Sequence, residues 1–450
     1  MKIVSLSLEN TGLDLKELCG KLAGEADGGL VLIVEPREEA VRIISDAASS
    51  RVSEEEAVEK LASELNNTSK GLPEDKRRTV DAEIVENLNR ISEYLRAEKK
   101  AGGATPKGVS IMQNLFCNTV AMIVSNYLKT FGADSKWLPA GQAGFMLVED
   151  YELPWSHCVD LNKPDELRKA LGGALVISGR SCVDKQGNEA ALKKGMGSVI
   201  AILVAKELGL KEVYVPKANG GVYTADPSLV ENARVIPILS YTEALELSRL
   251  GEWFVSPRAV ELAEELGVRI LVTSIKDPFK ESTTIGFEKA VEKQIVKAVA
   301  MIPDMSILTV EGAAMAGTPG VASAILGEVA KRGVSVCMIS QDASEIGITL
   351  VVRDADLDRA LKGLREGFGR EGVVKRIKTQ RGVAVISAVG EGMRGTKGVA
   401  AKIFTAVAEA GVNVLAIAQG SSETSISFIV LMEDAGKALK AVHDRVIIAK

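Results

Sequence analysis

Aromatic side chains are scarce in this chain. Phe, Trp and Tyr together make up 4% of its 450 residues, so a core must be assembled from Ala, Val, Ile and Leu. Histidine is scarcer still. His157 and His443 are the only two, which argues against a histidine-based acid–base mechanism. Five cysteines (19, 117, 158, 182 and 337) are scattered without Cys-x-x-Cys spacing. That pattern suggests neither a zinc site nor a disulfide framework, and it points to a reducing compartment, the cytoplasm. Lys and Arg form no cluster and the net charge is -5, so there is no electrostatic footprint for nucleic acid. No apolar run reaches the 18 or more residues expected of a membrane span. The N-terminal "MKIVSLSLENTG" carries an early acid and no long apolar region, which does not fit a signal peptide.

What is present is ordinary globular chemistry, with 46% hydrophobic and 26% charged residues. The length predicts two to four domains. Over the first ~275 residues, short β-branched runs alternate with longer amphipathic stretches. "MKIVSLSL", "GGLVLIVEP", "GGALVISG", "KEVYVP" and "VRILVTS" read as buried strands. "EAVRIISDAA", "DAEIVENLNRISEYLRAEKKA", "VSIMQNLFCNTVAMIVSNYLKTFG", "GSVIAILVAKELG", "SYTEALELSRLG" and "SPRAVELAEELG" read as helices. The alternation predicts an α/β sandwich with a mostly parallel sheet. "RAEKKAGGATPKG" reads as a mobile loop inside that domain.

The second half repeats itself. Residues 315–352 align without gaps to 393–430, pairing Gly333 with Gly411, Gln341 with Gln419 and Glu345 with Glu423. Each copy reads strand, Gly-rich turn, helix, strand, polar turn, strand, helix, the βαββαβ pattern of a small ferredoxin-like module.

With "QGSSETSISF" and "GMRGTKGVAAKIF" in the repeat and "GGVYTADPSLVENARVIPILSYTEALELSRLGEWFVSPRAVELA" upstream, the chain resembles the aspartate kinase family. The resemblance covers essentially the whole length, specifically in the last 240 residues and loosely in the first 150. It implies a three-layer amino-acid-kinase sandwich over 1–290, an ACT domain over 300–375 and a second over 380–450. In that family the kinase half phosphorylates the side-chain carboxylate of L-aspartate with MgATP. The ACT half binds lysine, threonine or a similar end product and switches the kinase off. The resemblance also implies a homo-oligomer through the ACT domains, with a hetero-oligomer including an active aspartate kinase as a further arrangement. No nucleic acid and no membrane partner is expected.

The kinase motifs depart from the family's. Its opening strand leads into Lys and a Gly-Gly-Thr-Ser turn. Here "KIVSLSL" leads into "ENTG", with Leu6 or a near neighbour at the Lys position and only Asn10, Thr11 and Gly12 as polar groups. Its substrate helix carries Phe-Gly-Glu-Arg. Here Cys117 and Asn118 stand at the charged positions, and Asn114 lies one turn before Asn118, on the same face. A buried helix is the plainer reading there, and nothing nearby in sequence would activate Cys117. Its Gly-Arg-Gly-Gly-Ser-Asp turn is Lys193, Lys194, Gly195, Met196, Gly197 and Ser198 in this chain. The turn still opens a helix, where backbone amides and the helix dipole favour an anion, but it lacks the carboxylate that a metal needs. A further acid of the family falls at Lys217 or Ala218. Tyr223, Asp226 and Pro227 match residues that frame the nucleotide, although Asp226 could serve only to cap its own turn. Arg258 is kept from a His-Pro-Arg motif. Lys194, Gly195, Gly197, Lys217, Tyr223, Asp226 and Arg258 are therefore the residues expected to meet ATP, if ATP with magnesium is bound at all.

The repeat is not eroded in this way. An amino-acid effector needs amides for its carboxylate and acceptors for its ammonium. Met315, Gly317, Thr318 and Gly320 form the first Gly-rich turn, and Met393, Gly395 and Gly398 the second. Gln341, Asp342, Ser344 and Glu345 in one copy, and Gln419, Ser421, Ser422 and Glu423 in the other, are the expected acceptors. The alternative is that these turns only stabilise an ACT–ACT interface. Two functional readings follow: a catalytically impaired, amino-acid-sensing regulatory homologue or subunit, or an active kinase that uses Lys193, Lys194 or Lys217 for phosphate.

Overall fold

The computed structural model describes residues 1–9, 14–148, 159–250, 255–287, 294–368 and 372–448. Asn10, Thr11 and Gly12 lie outside the described residues. The chain divides into two compact units. One comprises Met1–Val222, Pro237–Tyr241 and Glu252–Lys289, and the other Tyr223–Ile236, Thr242–Gly251 and Ala290–Lys450. The stretch 1–290 is thus not one contiguous body, because two short segments within it belong to the C-terminal unit.

From the N-terminus the chain runs β1 (Lys2–Ser7), α1 (Leu15–Ala23), β2 (Leu30–Glu35), α2 (Glu38–Ala48), α3 (Glu54–Ser69), α4 (Glu74–Lys100) and α5 (Pro106–Thr130). It continues β3 (Ser135–Leu138), β4 (Phe145–Leu147), β5 (Val159–Leu161), α6 (Pro164–Ala170), β6 (Ala174–Ser178), β7 (Ser181–Val183), β8 (Glu189–Ala191) and α7 (Met196–Glu207). Then come β9 (Glu212–Lys217), β10 (Ile238–Ser240), α8 (Tyr241–Arg249), α9 (Pro257–Leu266), β11 (Arg269–Ser274) and β12 (Asp277–Gly286). An eight-stranded sheet has the order β10-β12-β11-β9-β1-β2-β6-β3. Its neighbours run parallel except β11 and β12. A four-stranded sheet, β5-β4-β7-β8, lies in the same unit.

Register decides where a site can form. Ser7 lies beside Glu35, Val34 beside Ser178, and Ser274 beside Lys217. The carboxyl ends of the central parallel strands therefore gather at one edge, the position at which open α/β sheets bind ligands. Beneath that edge the core is aliphatic. β2 is buried along its whole length, its terminal Glu35 included. α5 starts where Thr105 accepts the Gly108 amide at 3.0 Å, with Pro106 in its first turn. Of the stretch expected as a mobile loop, residues 96–108, the first five residues are the end of α4 and the last three the start of α5, so that only 101–105 connect the two helices. Among the described residues α5 is the one helix long and apolar enough to cross a membrane, a length that its interleaved Asn, Gln and Ser hide in the sequence. Since 78% of its apolar window is buried inside the protein, it is a core helix.

The second unit runs β13 (Ala298–Glu311), α10 (Val321–Ala330), β14 (Met338–Gln341), β15 (Gly347–Arg353), α11 (Leu357–Phe368), β16 (Arg376–Val389), α12 (Val399–Glu409), β17 (Ala416–Gln419), β18 (Ser425–Leu431) and α13 (Met432–His443). These strands form a single antiparallel sheet, β14-β15-β13-β16-β18-β17. The two βαββαβ modules of the repeat are therefore joined in one continuous sheet. β13 and β16 are 14 residues each, and Glu311 faces Arg376 while Ala298 faces Val389. The start of β16 completes the first copy. The start of β13, which precedes the first copy in sequence, completes the second. A register shift between Ile302 and Ile307 marks the change-over, with Asp304 at φ 55° beside it. Met305 and Val383 of the shared strands form one buried cluster with Met338 of β14, Val351 of β15 and Ile429 of β18.

Candidate functional site

The glycine turn before α7 sits at the strand-end edge, and its amides are already engaged. Gly195 N donates to Glu35 Oε2 at 3.0 Å, and Gly197 N donates to Glu35 Oε1. Gly195 is in the left-handed region (φ 83°) and caps α7 without a side chain. A Cβ on Gly197 would lie 2.7 Å from Glu35 Oε1, and one on Gly179 would lie 3.0 Å from Glu35 Cγ and 3.1 Å from the Gly197 Cα. The glycines thus make room for a carboxylate of the chain itself. Burial pushes the Glu35 carboxyl up from its ordinary range, while the Gly197 amide, Arg180, the Gly195 amide and Lys217 pull it partway back. Arg180 is buried, donates to Leu192 O at 3.1 Å and pairs with Glu38. Ser198, where the family has an acid, shares a hydrogen bond of 3.1 Å with Ser5 Oγ. Lys194 Nζ lies 3.8 Å from Glu9 Oε1.

Glu35, Glu38 and Arg180 are the residues that sequence reasoning missed. Their one signal was an acid ending an otherwise apolar strand, which is unusual because buried carboxylates need partners. These partners lie far away in sequence and cannot be read from local pattern.

Of the other expected kinase positions, Leu6, Asn114, Cys117 and Asn118 are buried, whereas Lys217, Tyr223, Asp226 and Arg258 are half-buried. Leu6 is fully buried among aliphatic side chains. Asn114 and Asn118 do share a face of α5. Asn118 Nδ2 donates to Asn114 Oδ1 at 2.6 Å, and Asn114 Nδ2 donates to Ala190 O at 3.0 Å. Cys117 is fully buried, and desolvation pushes its thiol up to about 12, which leaves it unreactive. Arg258 pairs locally with Glu261 and Glu265, both at 3.5 Å. Asp226 Oδ1 accepts the Ser228 amide at 2.8 Å and the Ser228 hydroxyl at 2.7 Å, so it caps its own turn. Tyr223 and Asp226 belong to the second unit, whereas Lys194, Gly195, Gly197, Lys217 and Arg258 belong to the first. Among the described residues, the carboxylates at the strand ends are already engaged. Glu35 is committed to two amides and Glu38 to Arg180, and no group of three or more metal-ligating side chains occurs among the described residues.

The two Gly-rich turns of the second unit are built alike. Met315 and Met393 anchor them in the core, while Gly317, Thr318, Gly320, Gly395 and Gly398 are exposed. Gly320 (φ 90°) and Gly398 (φ 86°) cap α10 and α12. Gln341, Asp342 and Ser344 are exposed in the first copy, as are Gln419 and Ser421 in the second, with Ser422 half-buried. Glu345 and Glu423 are exposed but not idle. Glu345 Oε2 accepts the Gly317 amide at 2.9 Å, and Glu423 Oε2 accepts the Gly395 amide at 2.8 Å. Both glutamates hold left-handed backbone, at φ 57° and 55°, a strain that persists only where the surroundings enforce it. The second copy is also gripped by α8. Glu243 Oε1 accepts the Glu391 amide at 3.0 Å, and Glu246 Oε2 accepts from Ser425 Oγ at 3.2 Å.

A parallel α/β sheet with a glycine turn at its strand ends, joined to two modules that share one antiparallel sheet, defines an amino-acid kinase with a paired ACT unit. Comparisons with known proteins give the same class. Residues 49–274 match the amino acid kinase family, and residues 308–368 and 386–446 each match the ACT domain. Aspartokinase of Thermus thermophilus is 32% identical over 71% of this chain and 78% of its own length. The bifunctional aspartokinase/homoserine dehydrogenase of Haemophilus influenzae is 32% identical over 60% of this chain, which spans about a third of that relative's length. E. coli aspartokinase III, solved in complex with aspartate and ADP, shares the fold at a TM-score of 0.77 and 18% identity, over 99% of this chain and all of that one. The chain belongs to the aspartate kinase family.

Proposed function

We propose that this chain is a catalytically impaired member of the family that senses a free amino acid, lysine or threonine, through its ACT unit and regulates an aspartate kinase as homologue or subunit. The observation that carries the reading is the neutral face of α5, which presents no charged group even though Asn118 Oδ1 is buried there without a hydrogen-bond partner. Asn114, Cys117 and Asn118 are buried there, and Asn114 is spent on Asn118 and a backbone carbonyl. A dicarboxylate substrate calls for a bidentate cation. The nearby guanidinium of Arg180 is already committed to Glu38 and Leu192 O. By contrast, both Gly-rich turns are exposed. Glu345 and Glu423 hold the Gly317 and Gly395 amides, which leaves the helix starts at Gly320 and Gly398 for an effector's carboxylate, with Gln341, Asp342 and Ser344 or Gln419, Ser421 and Ser422 for its ammonium. Glu345 and Glu423 each spend one oxygen on the turn and offer the other to an ammonium.

A coupled assay for ATP-dependent aspartyl phosphate formation tests the first half of the reading. Turnover of about 1 per second or more, the ordinary enzymatic range, contradicts it. Calorimetry with lysine, threonine and methionine tests the second half, and no heat with any of them counts against effector binding. The alternative is an active aspartate kinase with a substituted catalytic set. It is favoured by the 32% identity to a relative named aspartokinase, and it would hold ATP phosphates with Lys193, Lys194 or Lys217.

A further inference from the structure

The turn at Gly195–Gly197 has the form of an anion cradle, and the anion in it belongs to the chain. Two backbone amides at the start of a twelve-residue helix converge on one carboxylate, with Gly195 N at 3.0 Å from Glu35 Oε2 and Gly197 N on Glu35 Oε1. Amides placed in this way at a helix start serve an oxyanion well. The glycines on either side fit Glu35 closely. Added methyl groups at Gly179 and Gly197 would collide with its side chain at 3.0 and 2.7 Å. Arg180 and Lys217 supply positive charge around it.

We propose that Glu35 is the resident anion of this turn, and that its carboxylate keeps phosphate out of the cradle. The inference deepens the regulatory reading and rests on it. A phosphate entering the turn needs the amides of Gly195 and Gly197, and both already donate to Glu35. It would also meet a like charge at close range, which costs affinity a second time. The opposite reading treats Glu35 only as a cap that ties β2 to α7. The two readings part when Glu35 is removed, since a mere cap leaves behind a weaker protein with no new affinity. A vacated cradle leaves two converging amides within the positive field of Arg180 and Lys217, and that set suits a phosphate monoester or free phosphate.

The experiment compares the full-length wild type with Glu35→Ala and Glu35→Ser, each titrated with inorganic phosphate and separately with ADP by calorimetry. Circular dichroism confirms that each variant is folded, and either folded variant is sufficient. We expect no saturable phosphate binding by the wild type and saturable binding in the millimolar range by a variant, a gain of about tenfold or more. A gain with phosphate and ADP alike places a phosphate group in the turn. A gain with free phosphate alone supports the cradle and shows that the nucleotide itself does not fit. The inference is overturned if the wild type binds phosphate as tightly as the variants. It is equally overturned if a folded variant gains nothing. Kinase turnover by the wild type sinks the regulatory reading instead, and it is measured without phosphate titration, so the two failures are distinguishable.

Discussion

At the scale of the residue, groups far apart in sequence are fitted closely to one another. Glu35 is the clearest case, and Gly197 exists because of it. A methyl group at Gly197 would sit 2.7 Å from Glu35 Oε1 and 2.9 Å from its Cγ. Overpacking of this kind in a close-packed interior typically costs about 2 kcal/mol. Gly197→Ala should therefore lower the urea unfolding free energy by about 2 kcal/mol. Gly28→Ala, which meets nothing within 4 Å, should change it by less than about 0.5 kcal/mol. The discriminating measurement is the double-mutant cycle. In a Glu35→Ala background most of the Gly197→Ala penalty should vanish. An equal cost in both backgrounds would show that Glu35 is not what Gly197 accommodates.

At the scale of the element, what sequence can announce depends on whether its cause is local. The five strands and six helices read from hydrophobic period are present in the structure, but α1 and the sixteen-residue α3 were not read from the sequence. Strands of three or four residues, such as β4, β7, β8 and β10, carry too few alternations to register. The Glu35 carboxylate meets a turn 160 and 162 residues away, so no window contains both partners. The repeat was legible as a repeat. Its strand exchange was not, because internal similarity describes each copy alone, while the sheet is completed across copies. That exchange predicts an asymmetric response. Ala300, at the start of β13, pairs with Ser387 of β16, which in turn pairs with Ser427 of β18. A proline inside a strand removes a ladder hydrogen bond and strains the backbone. Ala300→Pro should therefore weaken amide-exchange protection in β18, Ser425–Leu431, more than in β15, Gly347–Arg353, although β15 is nearer in sequence. Greater loss in β15 would mean that the start of β13 serves the first copy after all.

At the scale of the whole molecule, the second unit is assembled from three separated stretches of chain, and a buried histidine joins two of them. His443 at the end of α13 is fully buried, and its Nε2 lies 2.9 Å from Thr224 Oγ1 in the segment Tyr223–Ile236. Thr224 Oγ1 also accepts the Arg234 amide at 3.1 Å, and the other ring nitrogen, Nδ1, faces Asp444. Asp444 Oδ1 stands 3.6 Å from that nitrogen, too far for a good hydrogen bond. Loss of water around the ring holds the His443 pKa below its ordinary 6.5, and the Arg234 charge adds to this, while Asp444 offsets part of it. The sign follows from linkage. An unfolded chain takes up a proton near pH 6.5 that the folded chain refuses, so the unfolded state binds more protons as the medium is acidified. The stability contributed by neutral His443 is complete above about pH 6.5 and is lost as the pH falls below it toward the folded pKa. His443→Gln keeps a polar partner for Thr224 and cannot titrate. Between pH 7.5 and 5.5 the urea midpoint of the wild type should drop more than that of His443→Gln, by the equivalent of at most about 1.4 kcal/mol. Other titrating groups are common to both proteins and cancel in the difference. Parallel pH profiles would mean that the ring is protonated as readily in the folded state as in the unfolded one. The junction between Tyr223–Ile236 and α13 would then be indifferent to acid.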